Sequence, residues 1–309
     1  MKKIIILFFI MALISGCTGN GGATTRYEPF TGTNGMVIDF ARDSPPEEVY
    51  ENQRFNVLVD AKNDGASDII DGKIMLGFEK DVIETDKSEE DVELTGRSVN
   101  NDIGEEKFIN FNLRSKNLDP QVEVIESLIT ATACYRYQTI FGKAVCVDTD
   151  PLDNRLPEYA CQAEDISSSG QGAPIAITKV EVEMVPHNVE GKIKPMFKIY
   201  IENKGGGIVY NPDIVERACS SDKLERDDIN TLYVAEAKLS NDYYLECSPR
   251  KIGEGSGYVK LREDEKIIRC AYEEGIDANI PSFTAPLVIK LEYGYSETIS
   301  ETLLIRKEV

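Results

Sequence analysis

The sequence predicts an all-β chain carrying two sandwich domains in tandem. From residue 36 onward, apolar residues alternate with polar ones in short runs, the period of a sheet buried on one face. An alternating strand that ends in Asn-x-Gly occurs once in each half, at residues 57–65 and again at 197–205. Between the halves, residues 151–173 hold Pro151, Pro157, Ser167, Ser168, Ser169, Gly170 and Gly172 with little periodicity. A chain of 309 residues has room for two domains of about 100–200 residues each. The expected units are residues 36–150 and 174–309, joined by a linker at 151–173.

The N-terminus reads as an export signal. Lys2 and Lys3 precede an unbroken apolar run from Ile4 to Ile14, and the small residues Ser15 and Gly16 follow. Basic, apolar, then small is the layout of a secretory signal. As a helix the apolar run rises about 16 Å, too short to span a hydrocarbon core about 30 Å thick. The stretch Leu13, Ile14, Ser15, Gly16, Cys17 resembles a lipobox, the cleavage and lipidation signal of bacterial and some archaeal lipoproteins. The resemblance implies that residues 1–16 are a lipoprotein signal peptide and that Cys17 becomes the lipidated first residue. Two acyl chains suffice for stable anchoring, whereas one is marginal. A plain secretory signal with a chance cysteine is the alternative. Residues 17–35, rich in Gly and Thr, are then the lipidated cysteine and a flexible linker. As a coil, its eighteen residues after Cys17 reach about 23 Å.

In the first unit, Met36, Ile38 and Phe40 alternate, as do Val57, Val59 and Ala61, and then Ile109, Phe111 and Leu113. Residues 122–137 form a long β-rich run, answered by residues 141–147 after a turn near Ile140 to Gly142. Pro45 with Pro46, the Asn63 to Gly65 tripeptide, and Asp71 with Gly72 punctuate the strands. In the second unit, Ala176, Thr178, Val180, Val182 and Met184 share one face. Phe197, Ile199 and Ile201 alternate, as do Leu287, Ile289, Leu291 and Tyr293, and residues 299–305 supply a last strand. Residues 228–239 fit a helix poorly and read as strand.

Both Asn-x-Gly endings sit where a turn needs positive φ. Here the chain resembles CARDB-type and related archaeal surface domains, which are immunoglobulin-like sandwiches with a strand ending in such a turn. The resemblance implies two immunoglobulin-like β-sandwich domains and a stalk, adhesion or binding role. Neither half has the Cys…Trp…Cys core of antibody domains, since the chain contains no Trp.

Seven cysteines are present. With Cys17 lipidated, Cys134, Cys146, Cys161, Cys219, Cys247 and Cys270 remain, an even number that in an exported chain favours disulfides. Sequence alone leaves the connectivity open. Cys134 and Cys146 are symmetric about Ile140, so a hairpin turning there would bring them within bonding reach. Cys161 would then pair with one of the three C-terminal cysteines. Structural zinc is the rival, but no C-x-x-C knuckle occurs.

Charge narrows the partners. Lys plus Arg total 34 and Asp plus Glu total 54, a net charge of −20. Such a chain repels phosphate backbones and anionic head groups, which argues against nucleic acid and against electrostatic membrane attraction. Its membrane contact is expected through the lipid anchor, and its partner is expected to be another envelope or surface protein.

No catalytic constellation is evident. The one histidine, His187, follows Pro186 in a loop between strands. No G-x-S-x-G occurs, and Gly205, Gly206 and Gly207 are not followed by G-K-[ST]. Acid pairs such as Glu105 with Glu106 sit in polar loops, unlike the shielded pair that glycoside hydrolysis needs. No cofactor is expected, with calcium as the weak candidate. Asp148, Asp150 and Asp153 cluster at the end of a strand and could supply several of the six to eight oxygens calcium takes. The expected role is a non-catalytic extracytoplasmic lipoprotein on the outer face of the cytoplasmic membrane or cell surface. An accessory subunit of a secretion, pilus or transport assembly is the alternative, and a hydrolase ranks behind both.

Overall fold

The computed structural model describes residues 28–152, 161–220, 223–240, 242–248, 257–263 and 265–308. Cys17, the signal segment and Asp153 lie outside them. The described chain is almost entirely β. In order the strands are β1 (Met36–Phe40), β2 (Glu48–Tyr50), β3 (Arg54–Asn63), β4 (Ile69–Gly77), β5 (Ile83–Thr85), β6 (Glu89–Leu94), β7 (Glu106–Ser115) and β8 (Val124–Val147). The second half adds β9 (Ile166–Ser167), β10 (Ile175–Pro186), β11 (Lys192–Asn203), β12 (Ile208–Tyr210), β13 (Thr231–Leu239), β14 (Tyr243–Tyr244), β15 (Glu246–Ser248), β16 (Gly257–Lys260), β17 (Glu265–Ala271), β18 (Ile276–Asp277) and β19 (Phe283–Arg306). Among the described residues, one short helical segment, Pro212–Ile214 continuing as Val215–Ala218, interrupts the second half.

Three sheets result. The first has the order β1-β3-β7-β5, and the second β15-β17-β11-β10-β9 with β18 on β11. The third runs β14-β13-β19-β8-β4-β6, with β2, β12 and β16 attached. Alternation explains the strands: in β3 the residues Phe55, Val57, Val59 and Ala61 are buried, and in the neighbouring β7 Leu113, Phe111 and Ile109 lie beside them on the same buried face. At roughly 25 cal/mol per Å² of apolar area, rows of this kind are the main stabilising term.

The third sheet belongs to both halves. β8 and β19 are each 24 residues long and pair antiparallel throughout, from Val124↔Arg306 to Val147↔Phe283. The early part of β8 pairs with β4, whereas its later Thr139 hydroxyl donates to the Ile175 carbonyl of β10 at 2.6 Å. Conversely β19 begins beside β13 and ends beside β2, where Arg306 pairs with Glu48 at 2.5 Å. Each of the two long strands therefore passes from elements of one half to elements of the other, an exchange of strand ends between them. One continuous cluster of buried apolar residues runs through both.

This corrects several expectations. No turn occurs at Ile140 to Gly142; Phe141 is buried mid-strand, and residues 122–137 and 141–147 contribute to one strand. Along a strand, Cys134 and Cys146 stand about 40 Å apart, at about 3.3 Å per residue, so they cannot bond. The disulfides are Cys134–Cys219, Cys146–Cys161 and Cys247–Cys270. Cys161 thus takes Cys146 and none of the C-terminal cysteines. Likewise residues 287–293 and 299–305 are stretches of one strand, β19. The face assigned to Ala176, Thr178 and Val180 is broken by a register shift between Ile177 and Lys179, which buries Ile175 and Ile177 before it and Val180 after it.

The described residues of the linkers are more ordered than their composition suggests. At the end of the expected tether, Thr31 O accepts from Arg97 Nη2 at 2.6 Å, and Gly32 O accepts from Gly172 N at 2.8 Å. In the seam, Gly172 O accepts from Ala66 N at 2.7 Å. The buried Gln171 side chain bonds the backbone of Ile177 through both its oxygen and its nitrogen. Small residues serve here as close-packed backbone ligands instead of flexible spacers.

Candidate functional site

The joint between the halves is built from tyrosines. Tyr135 and Tyr137 on β8 stand opposite Tyr295 and Tyr293 on β19. The four rings lie edge to face or tilted, with centroids 5.5–6.4 Å apart. Such geometry contributes beyond simple burial. Buried hydroxyls must find partners, since an unmet one costs about 1–3 kcal/mol. Tyr135 accepts from Met36 N at 3.0 Å and Tyr293 from Ile175 N at 3.4 Å, fixing the starts of β1 and β10. Burial pushes both phenols well above their ordinary range.

The second pair of tyrosines locks the Asn-x-Gly turns. Asn63 Nδ2 donates to Ser67 O at 2.8 Å and its Oδ1 accepts from Gly65 N at 3.1 Å. Asn203 repeats both bonds, to Gly207 O at 2.8 Å and from Gly205 N at 3.3 Å. The Tyr137 hydroxyl reaches the first turn and the Tyr295 hydroxyl the second. A Cβ at Gly65 or Gly205 would collide with that hydroxyl, which is why glycine stands at each. The sequence repeat thus marks a structural unit that recognises its own last strand.

Two disulfides pin chain segments over the outer face of β8. On this strand the odd-numbered residues from Ser127 to Val147 face the core, apart from exposed Lys143, while Cys134 and Cys146 are even-numbered. Cys134 forms a small separate cluster with Val215 and Cys219, so the short helical segment is drawn across the joint. Arg136 Nη2 also donates to Pro212 O at 2.7 Å. A polar groove of about 890 Å³ lies between this segment and β4 and β6. Its cations are already engaged: Lys73 with Glu89 and Asp91, Lys107 with Glu105, and Arg136 with Pro212 and Asp213.

The residues singled out for chemistry fall elsewhere. His187 Nδ1 accepts from Val189 N at 2.9 Å within the β10–β11 turn and Nε2 lies 3.0 Å from Glu273 O in the β17–β18 turn, so both ring nitrogens serve backbone groups of turns. Asp148 Oδ1 accepts from Asp150 N at 2.9 Å and from the Ser282 hydroxyl at 3.1 Å, the pattern of a self-capped turn. Asp153, the third carboxylate of the calcium expectation, lies outside the described residues. Among the described residues no group of three or more His, Cys, Asp or Glu side chains is placed to hold a metal ion. No described helix is long and apolar enough to cross a membrane.

A different surface, the outer edge of β19, has no signature in the local alternation of its residues. β13 covers it at Leu287 to Glu292, β12 at Gly294 to Ser296 and β2 at Leu304 to Arg306. Across residues 297–303 no described strand pairs on that side. The length of β19 was the missing signal, because two separately read strands gave no reason to look for an uncovered middle.

The fold is therefore an all-β, sandwich-type scaffold held by three disulfides. No family model matches the chain, and no curated protein matches it. Among solved structures it is similar to the secreted serine protease VesC from Vibrio cholerae, at 9% identity and a TM-score of 0.19. That match covers 82% of this chain and 49% of the protease, so the chain spans about half the length of that protein. At such a TM-score the likeness carries no argument about fold or activity.

Proposed function

We propose that this protein is a lipid-anchored extracytoplasmic module that acts by binding or presentation and not by catalysis. Cysteine pairing carries the reading. All six cysteines after Cys17 are joined in disulfides, which suits an oxidising compartment outside the cytosol. Cys17 is the remaining member of seven and stands at the end of the lipobox-like stretch. Acylation there would hold the chain at the membrane surface by two acyl chains. Two immunoglobulin-like units related to CARDB-type domains fit the repeated Asn-x-Gly turns, modified by the strand exchange. The backbone duties of His187 and the self-capped turn at Asp148 support a non-catalytic role.

Intact-mass analysis of the membrane fraction, before and after reduction, tests this. The expected product begins at Cys17, carries a diacylglyceryl group and gains six hydrogens on reduction, two for each of the three disulfides. A mature start elsewhere, or a full-length product with free thiols, would overturn the proposal.

A further inference from the structure

The open stretch of β19 has defined dimensions and defined chemistry. It is bounded at one end by β12 and at the other by β2, leaving residues 297–303 between them. At about 3.3 Å per residue the opening is about 23 Å long, the length of one short extended segment. Unpaired backbone at a sheet edge is a template for an added strand.

The side chains set what can enter. Odd positions of β19 face the opposite sheet, as buried Tyr295, Leu303 and Ile305 show, so Glu297, Ile299 and Glu301 share that face. Thr298, Ser300 and Thr302 face outward and are exposed. Glu297 is half-buried, and its carboxyl is raised by burial alone. No salt bridge answers it among the described residues. Inward-facing charge on an edge strand is a known guard against indiscriminate pairing. Here it excludes a segment that would set acidic or wholly apolar residues against Glu297 and Glu301. A second copy of this chain, itself at −20, is a poor occupant.

We propose that this slot binds an extended segment of a partner protein that carries basic, apolar and basic residues at alternate positions, set against Glu297, Ile299 and Glu301. Main-chain hydrogen bonds to β19 supply affinity, and the two carboxylates select the segment. Polar β-branched residues at the intervening positions continue the outward row of Thr298, Ser300 and Thr302. The assignment rests on reading the chain as a binding module.

The test uses the exported full chain and two synthetic peptides, Thr-Lys-Thr-Val-Thr-Lys-Thr and its counterpart with Glu in place of each Lys. The sequence is a palindrome, so parallel and antiparallel docking are both sampled. The lysine peptide is expected to bind saturably and more weakly as salt rises. Glu297→Gln combined with Glu301→Gln is expected to weaken it about tenfold, the worth of two partly exposed ion pairs, with an unchanged melting temperature. The glutamate peptide is expected not to bind. Three outcomes overturn the proposal: no binding of the lysine peptide, equal binding by the double variant, or equal binding of the glutamate peptide. Self-association of the chain that the lysine peptide displaces and that Glu297→Gln with Glu301→Gln strengthens would assign the slot to a second copy, and it too would overturn the proposal. The membrane-anchored reading is tested separately by mass and location, and it survives a failure of the peptides.

Discussion

Tyr137 and Tyr295 hold equivalent posts in the two halves of the molecule. Each accepts a hydrogen bond from a backbone N–H just beyond an Asn-x-Gly turn, Ser67 N at 3.1 Å and Gly207 N at 2.6 Å. Each donates to the asparagine of that turn, Asn63 at 3.3 Å and Asn203 at 3.4 Å. Their strands run antiparallel as partners, so the two posts lie on either side of the Arg136↔Gly294 pair. The halves are thus related about the middle of the joint.

Tyr137→Phe and Tyr295→Phe are expected to act alike. Each leaves a backbone N–H without its acceptor, at a cost of about 1–3 kcal/mol. Denaturant titration should show one transition moving to lower midpoint in both variants, because a shared sheet couples the halves. Two separate transitions, only one of them shifted, would contradict the coupling.

The Cys134–Cys219 bond closes a loop with a sequence separation of 85. On chain-entropy grounds, replacing both residues by serine is expected to cost about 4.5 kcal/mol. Thermal melting of the oxidised variant checks the loss. Peptide mapping without reduction checks the pairing itself, and a peptide linking Cys134 to Cys146 would refute it.

Glu105 predicts an acid-sensitive contribution to stability. The Thr95 hydroxyl, at 2.5 Å, and the Thr95 N–H, at 2.9 Å, hold its carboxyl down from 4.5 to about 2. A carboxyl lowered by folding stabilises the native state above its unfolded value. That contribution is lost as pH falls from about 4.5 toward 2. Glu105→Gln should be less stable than the parent at neutral pH and should lose less on acidification over that window. Parallel curves for the two proteins would count against the assignment.

Strand existence was legible from alternation, and the repeated turn was legible from Asn63 and Asn203, though its reason was not: neither Gly65 nor Gly205 has positive φ, and glycine is required there by the close approach of a tyrosine hydroxyl. Residues 228–239, read as strand against a poor helical pattern, contain β13. Strand length and disulfide partners were not legible. Gly142 looked like a turn because a hairpin is the local use of such a residue, whereas here it is an exposed mid-strand position. What carries the chain straight on is burial of Phe141 and Val145 in the other half's core, a long-range effect with no local trace. The cysteine error had a readable warning. Cys134 and Cys146 keep step with the polar residues of their strand, so their partners had to come from segments crossing the outer face. Cys17 and Asp153 fall outside the described residues, so they rest on the sequence pattern alone.

The exchange of final strands has a mechanical consequence. In beads on a string, a pull on one end is borne by the bead nearest to it and then passed along a linker. Here Arg306 lies beside β2 of the first half, so the last strand returns toward the first strands of the chain. Tension between β1 and the end of β19 would load the long β8–β19 ladder in shear, with many rungs resisting together. Such a body should yield abruptly under force, as one piece.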